Sequence, residues 1–143
     1  MQQTIQSSFN DIGLLIARIK NKMRKRMNDK LKPYDLTSEQ RAILLILCSQ
    51  GDLTQIQLCE QISMEPSNLS TTLKRLENKN FIDKIDHPND PRAYLVRATK
   101  QTLSIAEELR NLGIVTQADL FKGIELSDLR ITYETLKKLD KNL

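Results

Sequence analysis

The spacing of hydrophobic residues predicts helices over most of the chain. A long amphipathic helix is predicted over residues 8–31, where apolar residues recur at intervals of four and three. Its apolar stripe consists of Ile12, Ile16, Ile19 and Met23. A helix of about 24 residues would be roughly 36 Å long, which is more than a small core can cover. We therefore expect part of this stripe to contact another subunit.

A second helix is predicted after Pro33, which ends the first. Thr37 and Gln40 have the spacing of a capping box, in which each side chain accepts a hydrogen bond from the other residue's backbone amide. The following segment, residues 42–48, is apolar nearly all round, which predicts a helix buried on most sides. Gly51 is suited to a left-handed position just after this helix.

Two short helices joined by a tight corner are predicted within residues 53–79. Thr54 and Gln57 have capping-box spacing, and Leu53 can pack against Leu58 as a hydrophobic staple. Proline suits the first position of the second helix, because its φ is fixed and its missing N–H is not needed there. That helix is predicted to begin at Pro66 and to bury Leu69, Leu73 and Leu76.

The outer face of this second helix is polar and basic. Its side chains are Ser67, Asn68, Ser70, Thr71, Thr72, Lys74 and Arg75. A DNA major groove about 12 Å wide admits such a helix, and short hydroxyl and amide side chains can bind bases or phosphates. Lys74 and Arg75 are better placed for phosphates than for bases. An equal alternative is a solvated face on which Ser67 and Asn68 bond only within their own helical turn.

A β-hairpin is predicted next. Asn80 tolerates the left-handed conformation that ends a helix. Two short β-prone runs, residues 81–85 and 93–97, flank a five-residue loop at 87–91 that contains two prolines. The prolines should stiffen the loop, so that it projects from the domain.

Arg92, beside this loop, is the sharpest candidate for a DNA contact. On a projecting loop it could enter the minor groove, where negative potential attracts guanidinium groups. Asp90 could brace the guanidinium. The alternative is that Asp90 and Arg92 only close the turn as a surface pair, which is worth little by itself.

Two more helices are predicted at the C-terminal end. The first runs from Thr99 to about Lys122, although Gly113 inside it argues against an unbroken helix. The second starts at Ser127. Its apolar positions are Leu129, Leu136 and Leu139. No repeat or linker divides the chain, so residues 1–143 are expected to form a single domain.

Composition excludes some classes of protein. A hydrophobic content of 39% and a charged content of 28% are ordinary for a globular domain. No apolar run approaches the roughly 18 residues that can span a bilayer, and no export signal is evident, so we expect a cytoplasmic protein without a membrane partner.

Charge is distributed unevenly. Residues 18–32 carry eight Lys or Arg against one Asp, which suits either a solvated helix face or a phosphate-binding one. Residues 37–100 carry eight positive and eight negative side chains and therefore sum to zero. Any contact with a polyanion must depend on where individual charges are displayed.

The sequence offers little for catalysis or metal binding. Cys48 and Cys59 lie in apolar helical patterns, which favours core packing over a redox role. With no C-x-x-C pair and with His87 the only histidine, neither a metal site nor a cofactor is expected. No P-loop, dinucleotide fingerprint or nucleophile motif is present, so no catalytic residue is assigned and an enzyme is not expected.

A helix, a helix-turn-helix and a hairpin with a projecting loop are in the order of a winged helix, and here the chain resembles the MarR family of bacterial transcriptional regulators. The matching segments are LTSEQRAILLIL at 36–47, LTQIQLCEQI at 53–62, PSNLSTTLKRLENKNFI at 66–82 and HPNDPRAYLVRAT at 87–99. The resemblance implies a mainly α fold with a small β-hairpin. Its winged helix-turn-helix core would be residues 36–99, flanked by dimerisation helices at 1–32 and 100–143.

The chain departs from the family pattern at three places. The wing has Asp90-Pro91-Arg92 where Asp-Arg-Arg is usual, which removes one positive charge from its tip. Residues 98–102, ATKQT, stand where Leu-Thr-x-x-Gly is usual, and Asn80 stands for the glycine after the recognition helix.

The resemblance implies a sequence-specific, double-stranded DNA-binding transcriptional regulator. Such a protein would be a homodimer on a palindromic operator with half-sites about one helical turn apart, and repression is the family's commonest mode. The DNA-binding residues implied are Ser67, Asn68, Ser70, Thr71, Thr72, Lys74, Arg75, Asp90 and Arg92. Family members commonly release DNA when a small-molecule effector binds between the dimerisation helices and the winged helix, or when a cysteine is oxidised. The alternatives are a winged-helix protein-interaction module with little DNA affinity and a cysteine-based redox-sensing regulator.

Overall fold

The computed structural model describes the backbone of residues 2–143 and the side chains of residues 10–143. Its helices and strands are α1 Gln2–Leu31, α2 Ser38–Gln50, β1 Leu53–Thr54, α3 Gln55–Ile62, α4 Pro66–Asn78, β2 Ile82–Asp86, β3 Tyr94–Ala98, α5 Lys100–Leu120 and α6 Leu126–Lys141. A short 3-10 helix, Lys32–Tyr34, follows α1. The chain divides into two compact units, one that ends at Gly113 and one that comprises Ile114–Leu143. None of the helices in the described residues is long and apolar enough to cross a membrane.

Both predicted capping boxes are present. Thr37 Oγ1 accepts from the Gln40 amide at 3.2 Å, and Gln40 Oε1 accepts from the Thr37 amide at 3.0 Å. At the start of α3 the same exchange joins Thr54 and Gln57, at 3.2 Å and 2.8 Å. These local bonds satisfy amides that have no partner within the helix, which is why α2 and α3 begin where the sequence predicts.

The core of the first unit is mainly aliphatic and draws on every element from the end of α1 to α5. Its buried residues are Leu31, Leu36, Ile43, Leu44, Leu47, Leu53, Leu58, Leu69, Leu73, Leu76, Phe81, Ile82, Val96 and Leu109. The three predicted α4 positions are completely buried, and both residues of the predicted staple belong to the same core. This packing leaves the opposite face of α4 for solvent or a partner.

A three-stranded antiparallel sheet replaces the simple hairpin that was predicted. The strand order is β1-β3-β2, and β1 adds Leu53 opposite Val96 and Thr54 opposite Leu95. The hairpin strands each begin one residue later than predicted, at Ile82 and Tyr94. A two-residue strand carries no sequence pattern of its own, so β1 could not be recognised before its partner was in place.

The segment that follows α4 accounts for two of the departures from the family pattern. Asn80 adopts a positive φ of 63°, as predicted for the residue that ends this helix. Thr99 Oγ1 donates to the Asn80 carbonyl at 2.7 Å, and Thr102 Oγ1 donates to the Phe81 carbonyl at 2.6 Å. Thr102, which stands where the Leu-Thr-x-x-Gly pattern has its glycine, is fully buried. Its hydroxyl therefore supplies a buried hydrogen bond to the segment that follows α4.

Two predictions about glycines are corrected. Gly51 has φ 85° and ψ −157°, which is not the left-handed helical region but an extended conformation open essentially to glycine alone. The helix α5 continues unbroken through Gly113. Gly51 therefore serves a different backbone conformation from the predicted one, and Gly113 does not interrupt its helix.

The N-terminal helix begins at Gln2, earlier than predicted, and much of its apolar stripe is uncovered. Its exposed large apolar residues are Ile12, Leu14, Leu15, Ile16, Ile19 and Met23. Among its residues from Asn10 onwards, only Met27 and Leu31, near its C-terminal end, pack into the core.

The second unit also exposes an apolar surface on α6, which begins at Leu126 rather than at Ser127. Ile131, Leu136 and Leu139 are exposed, and Leu129 is half-buried.

Candidate nucleic-acid interface

The first turn of α4 is open to a ligand. Pro66 occupies the first helical position as predicted, and the preceding residue, Glu65, makes no side-chain cap. Amides in the first turn of a helix have no partner within it, and they attract anions such as phosphate. The start of α4 can therefore bind a DNA backbone without breaking an existing capping bond.

Seven predicted contact residues lie on the face of α4 away from the core. Six are exposed and Thr72 is half-buried. Thr71 and Thr72 hydroxyls donate to the carbonyls of Ser67 and Asn68, at 3.1 Å and 2.8 Å, so they remain available mainly as acceptors. Within the described side chains, those of Ser67, Asn68 and Ser70 make no hydrogen bond. The alternative of Ser67 and Asn68 side chains bonded within their own turn is not observed.

The cations of α4 differ in how they are held. Lys79, just after the helix, donates to the Asp35 carbonyl at 2.6 Å and lies 3.4 Å from its carboxylate. Lys74 and Arg75 are exposed, and neither forms an ion pair across residues 10–143. Their charges are therefore available to phosphates.

The loop between β2 and β3 is closed by its own side chains. His87 Nδ1 accepts from the amides of Asn89 and Asp90, each at 3.1 Å. Asp90 Oδ1 accepts from the Arg92 amide at 2.9 Å, and the Asp90 carbonyl accepts from the Ala93 amide at 3.2 Å. The prediction that Asp90 braces the Arg92 guanidinium is corrected, because the carboxylate binds backbone instead. Sequence analysis gave His87 no structural role, because a side chain that accepts hydrogen bonds within a turn has no characteristic sequence motif.

The Arg92 guanidinium is exposed and, in the part of the chain whose side chains are described, has no acidic partner. An unpaired guanidinium on a closed loop needs no ion pair broken before it meets a phosphate or a groove. Arg92 is thus an exposed wing cation that is available to a phosphate or a groove.

An ion pair holds the base of the same hairpin. Arg97 donates to Asp52 through Nε at 3.1 Å and through Nη2 at 2.7 Å. This bonding and the Asp52 charge raise the pKa of Arg97. Because Asp52 lies in the turn between α2 and β1, the pair ties β3 to the body of the domain.

A cleft of about 440 Å³ separates the hairpin from the start of α4. It is lined by Thr54, Gln55, Ile56, Cys59, Glu60, Pro66, Arg92, Ala93 and Tyr94. Both cysteines are half-buried, and burial raises the pKa of Cys48. Only Cys59 lines this cleft, so the two thiols occupy different environments.

A helix-turn-helix with an open α4 face and a hairpin carrying an unpaired arginine define a winged-helix DNA-binding protein. The MarR family model matches residues 36–94. The multiple antibiotic resistance protein MarR of Salmonella typhimurium is 29% identical over 135 residues, covering 92% of this chain and 94% of that protein. The winged-helix segment of this chain thus matches the MarR family model, and over most of its length the chain is similar to MarR.

Solved structures show the same similarity. A cysteine-to-serine variant of E. coli MarR in complex with operator DNA has a TM-score of 0.84 and 28% identity, covering 92% of this chain and 96% of that one. The S. aureus MepR–DNA complex has a TM-score of 0.86 at 22% identity, covering 92% and 97%, and shows the shared fold.

Proposed function

We propose that this regulator is a homodimeric repressor that binds a palindromic double-stranded operator. In this proposal α4 enters the major groove and Arg92 enters the adjacent minor groove. The observation that carries it is that the start of α4, at Pro66, and the unpaired Arg92 border one cleft. A DNA operator also implies action in the cytoplasm.

The contact residues divide by chemistry. Ser67, Asn68 and Ser70, whose side chains are unbonded, are suited to base edges or phosphates near the start of α4. Lys74 and Arg75 supply phosphate contacts further along the helix. Thr71 and Thr72 offer oxygen acceptors. Asp90 acts through the loop backbone, holding Arg92 in place rather than touching DNA.

Dimerisation would supply the second half-site. A single helix and wing make few contacts, whereas a two-fold dimer reads two half-sites about one helical turn apart. The exposed apolar residues of α1 and, separately, those of α6 are the kind of surface that a second copy would cover. We therefore assign residues 36–99 to DNA reading and residues 1–32 and 100–143 to dimerisation, within one functional domain.

The similar proteins support this proposal. The E. coli MarR variant is bound to operator DNA, at an identity to this chain of 28%. A small-molecule effector that lowers DNA affinity is part of the proposal, and the cleft of about 440 Å³ has the size of a small-molecule site. This cleft lies within the winged helix, whereas the family resemblance implies an effector between the winged helix and the dimerisation helices. A redox role of Cys48 has less support, because burial raises the pKa of this thiol and disfavours its reactive thiolate.

The test is selection of bound fragments from the source genome, followed by titration of the selected duplex at several salt concentrations. A binder that uses several Lys and Arg loses affinity steeply as salt rises, and removing one phosphate contact lowers the slope by about one. We expect Arg75→Ala to do this and Arg92→Ala to weaken binding strongly. Lys79→Ala is the control, because this cation is held by Asp35 and is not among the proposed phosphate contacts. If no genomic fragment binds at low salt, the chain is a protein-interaction module instead.

A further inference from the structure

Two hydrogen bonds cross the cleft and connect the wing to α4. Tyr94 Oη donates to Gln55 Oε1 at 2.7 Å, and Gln55 Nε2 donates to the Pro66 carbonyl at 3.3 Å. Tyr94 is the first residue of β3, two positions after Arg92, and Pro66 is the first residue of α4. The side-chain amide of Gln55 thus accepts a hydrogen bond from the wing through Oε1 and donates one to α4, the recognition helix, through Nε2.

No other hydrogen-bonded path joins this end of the hairpin to α4 among residues 10–143. The opposite end of the hairpin is held by the Arg97–Asp52 pair and by core packing of Ile82 and Val96. Near the loop end, β3 also pairs with β1 at Leu95, but among residues 10–143 only the bonds of Gln55 continue from there to α4. The position of Arg92 relative to α4 therefore depends on the two bonds of Gln55.

Gln55 itself is held firmly. Thr54, the residue before it, caps α3 by the exchange with Gln57 and pairs with Leu95 in the sheet. The Lys84 ammonium lies 4.8 Å from the centre of the Tyr94 ring, which supports that ring from the neighbouring strand. Because Gln55 and Tyr94 are both held in place, the side-chain amide of Gln55 sets the distance between Tyr94 on the wing and Pro66 on α4.

We propose that Gln55 and Tyr94 are positioning residues that set the spacing between the wing and α4, so that Arg92 and the recognition helix engage DNA together. This inference rests on the proposed DNA-binding function. Neither side chain needs to touch DNA. The bonds act before DNA arrives, by removing wing positions in which Arg92 would miss its groove.

The first test measures affinity for the selected operator with Tyr94→Phe and Gln55→Met. Each change removes hydrogen bonds while keeping most of the side-chain volume. Loss of one or two such bonds should lower affinity about three- to tenfold, with the unfolding midpoint nearly unchanged. Tyr34→Phe is the matched control, because it removes a hydroxyl that donates to Glu108 at 2.8 Å, away from the cleft.

A double-mutant cycle with Arg92→Ala separates positioning from direct contact. If Gln55 and Tyr94 act through Arg92, Tyr94→Phe should cost almost nothing once Arg92 is absent. An equal loss of affinity in both backgrounds would overturn the proposal, and so would unchanged binding by both single variants.

Hydrogen exchange on the DNA-free protein provides a readout that does not depend on DNA binding. Gln55→Met and Tyr94→Phe should speed exchange of the Arg92 and Ala93 amides, while Tyr34→Phe should not. Unchanged exchange in both variants would also overturn the proposal. If the wild-type chain binds no duplex but both variants still speed exchange of the Arg92 and Ala93 amides, the proposed DNA-binding function has failed. The role of Gln55 and Tyr94 in positioning the wing would still be supported.

Discussion

Arg41 on α2 occupies the space that Gly113 leaves open on α5. A Cβ at position 113 would lie 2.6 Å from Arg41 Nη2, and Arg41 Nε donates to the Leu109 carbonyl at 2.7 Å. Burial lowers the pKa of this guanidinium. The glycine is present because a charged side chain packs against the helix there, and the helix itself remains unbroken.

This relationship predicts that Gly113→Ala has different effects with and without Arg41. Alanine should gain up to about 1 kcal/mol of helix propensity, but it displaces the guanidinium and weakens a hydrogen bond worth about 1 kcal/mol. In the Arg41→Met background, which keeps much of the apolar stem, Gly113→Ala should give the gain in helix propensity without the cost of displacing the guanidinium. Urea unfolding of the four proteins measures the difference. The same change in unfolding free energy in both backgrounds would refute the interpretation.

Thr102→Val should destabilise the domain by about 0.5–1.5 kcal/mol, because the Phe81 carbonyl loses the Thr102 hydroxyl as a donor but keeps the Thr99 amide at 3.1 Å. Thr135→Val is the control, since its hydroxyl also donates to a backbone carbonyl, at 2.8 Å, but lies on an exposed helix face. The control should change the unfolding free energy by no more than about 0.5 kcal/mol. Equal effects in the two variants would mean that the Thr102 bond is not structural.

Cys48 should react slowly with thiol reagents. Because burial raises its pKa, a smaller fraction is thiolate at any given pH, and the rise of its alkylation rate should occur at higher pH than for free cysteine. Cys59→Ser isolates this thiol for iodoacetamide kinetics. If the alkylation rate of Cys48 instead rises at the same pH as that of free cysteine, or at a lower pH, the redox alternative would regain support. Peroxide that abolishes operator binding by wild type but not by Cys48→Ser would do so as well.

His87→Ala should loosen the wing loop, because two amides lose the Nδ1 acceptor at 3.1 Å. Exchange of the Asn89 and Asp90 amides should become faster, and operator affinity should fall. His87→Asn is the conservative control, since its side-chain oxygen can accept from a backbone amide two residues on. Slow exchange in His87→Ala would show that the Asp90 carboxylate alone closes the loop.

Local chemistry made most of the helices predictable. Thr37 and Thr54 act on amides within three residues, so α2 and α3 start as predicted whatever the rest of the chain does. The period of Leu69, Leu73 and Leu76 identified the buried face of α4, and the exposed face followed from it. The DNA roles of that face and of Arg92 stay predictions until binding is measured.

The sequence by itself determined where α2, α3 and α4 begin and which α4 face is buried, because capping and periodicity act over one or two turns. Tertiary structure decided the partners of single side chains. Only the folded chain brings Gln55 to Tyr94 across 39 positions, adds β1 to the hairpin, and directs the Asp90 carboxylate to backbone instead of to a guanidinium. Such pairings depend on distances between elements that no local pattern encodes, and in this protein they hold the wing.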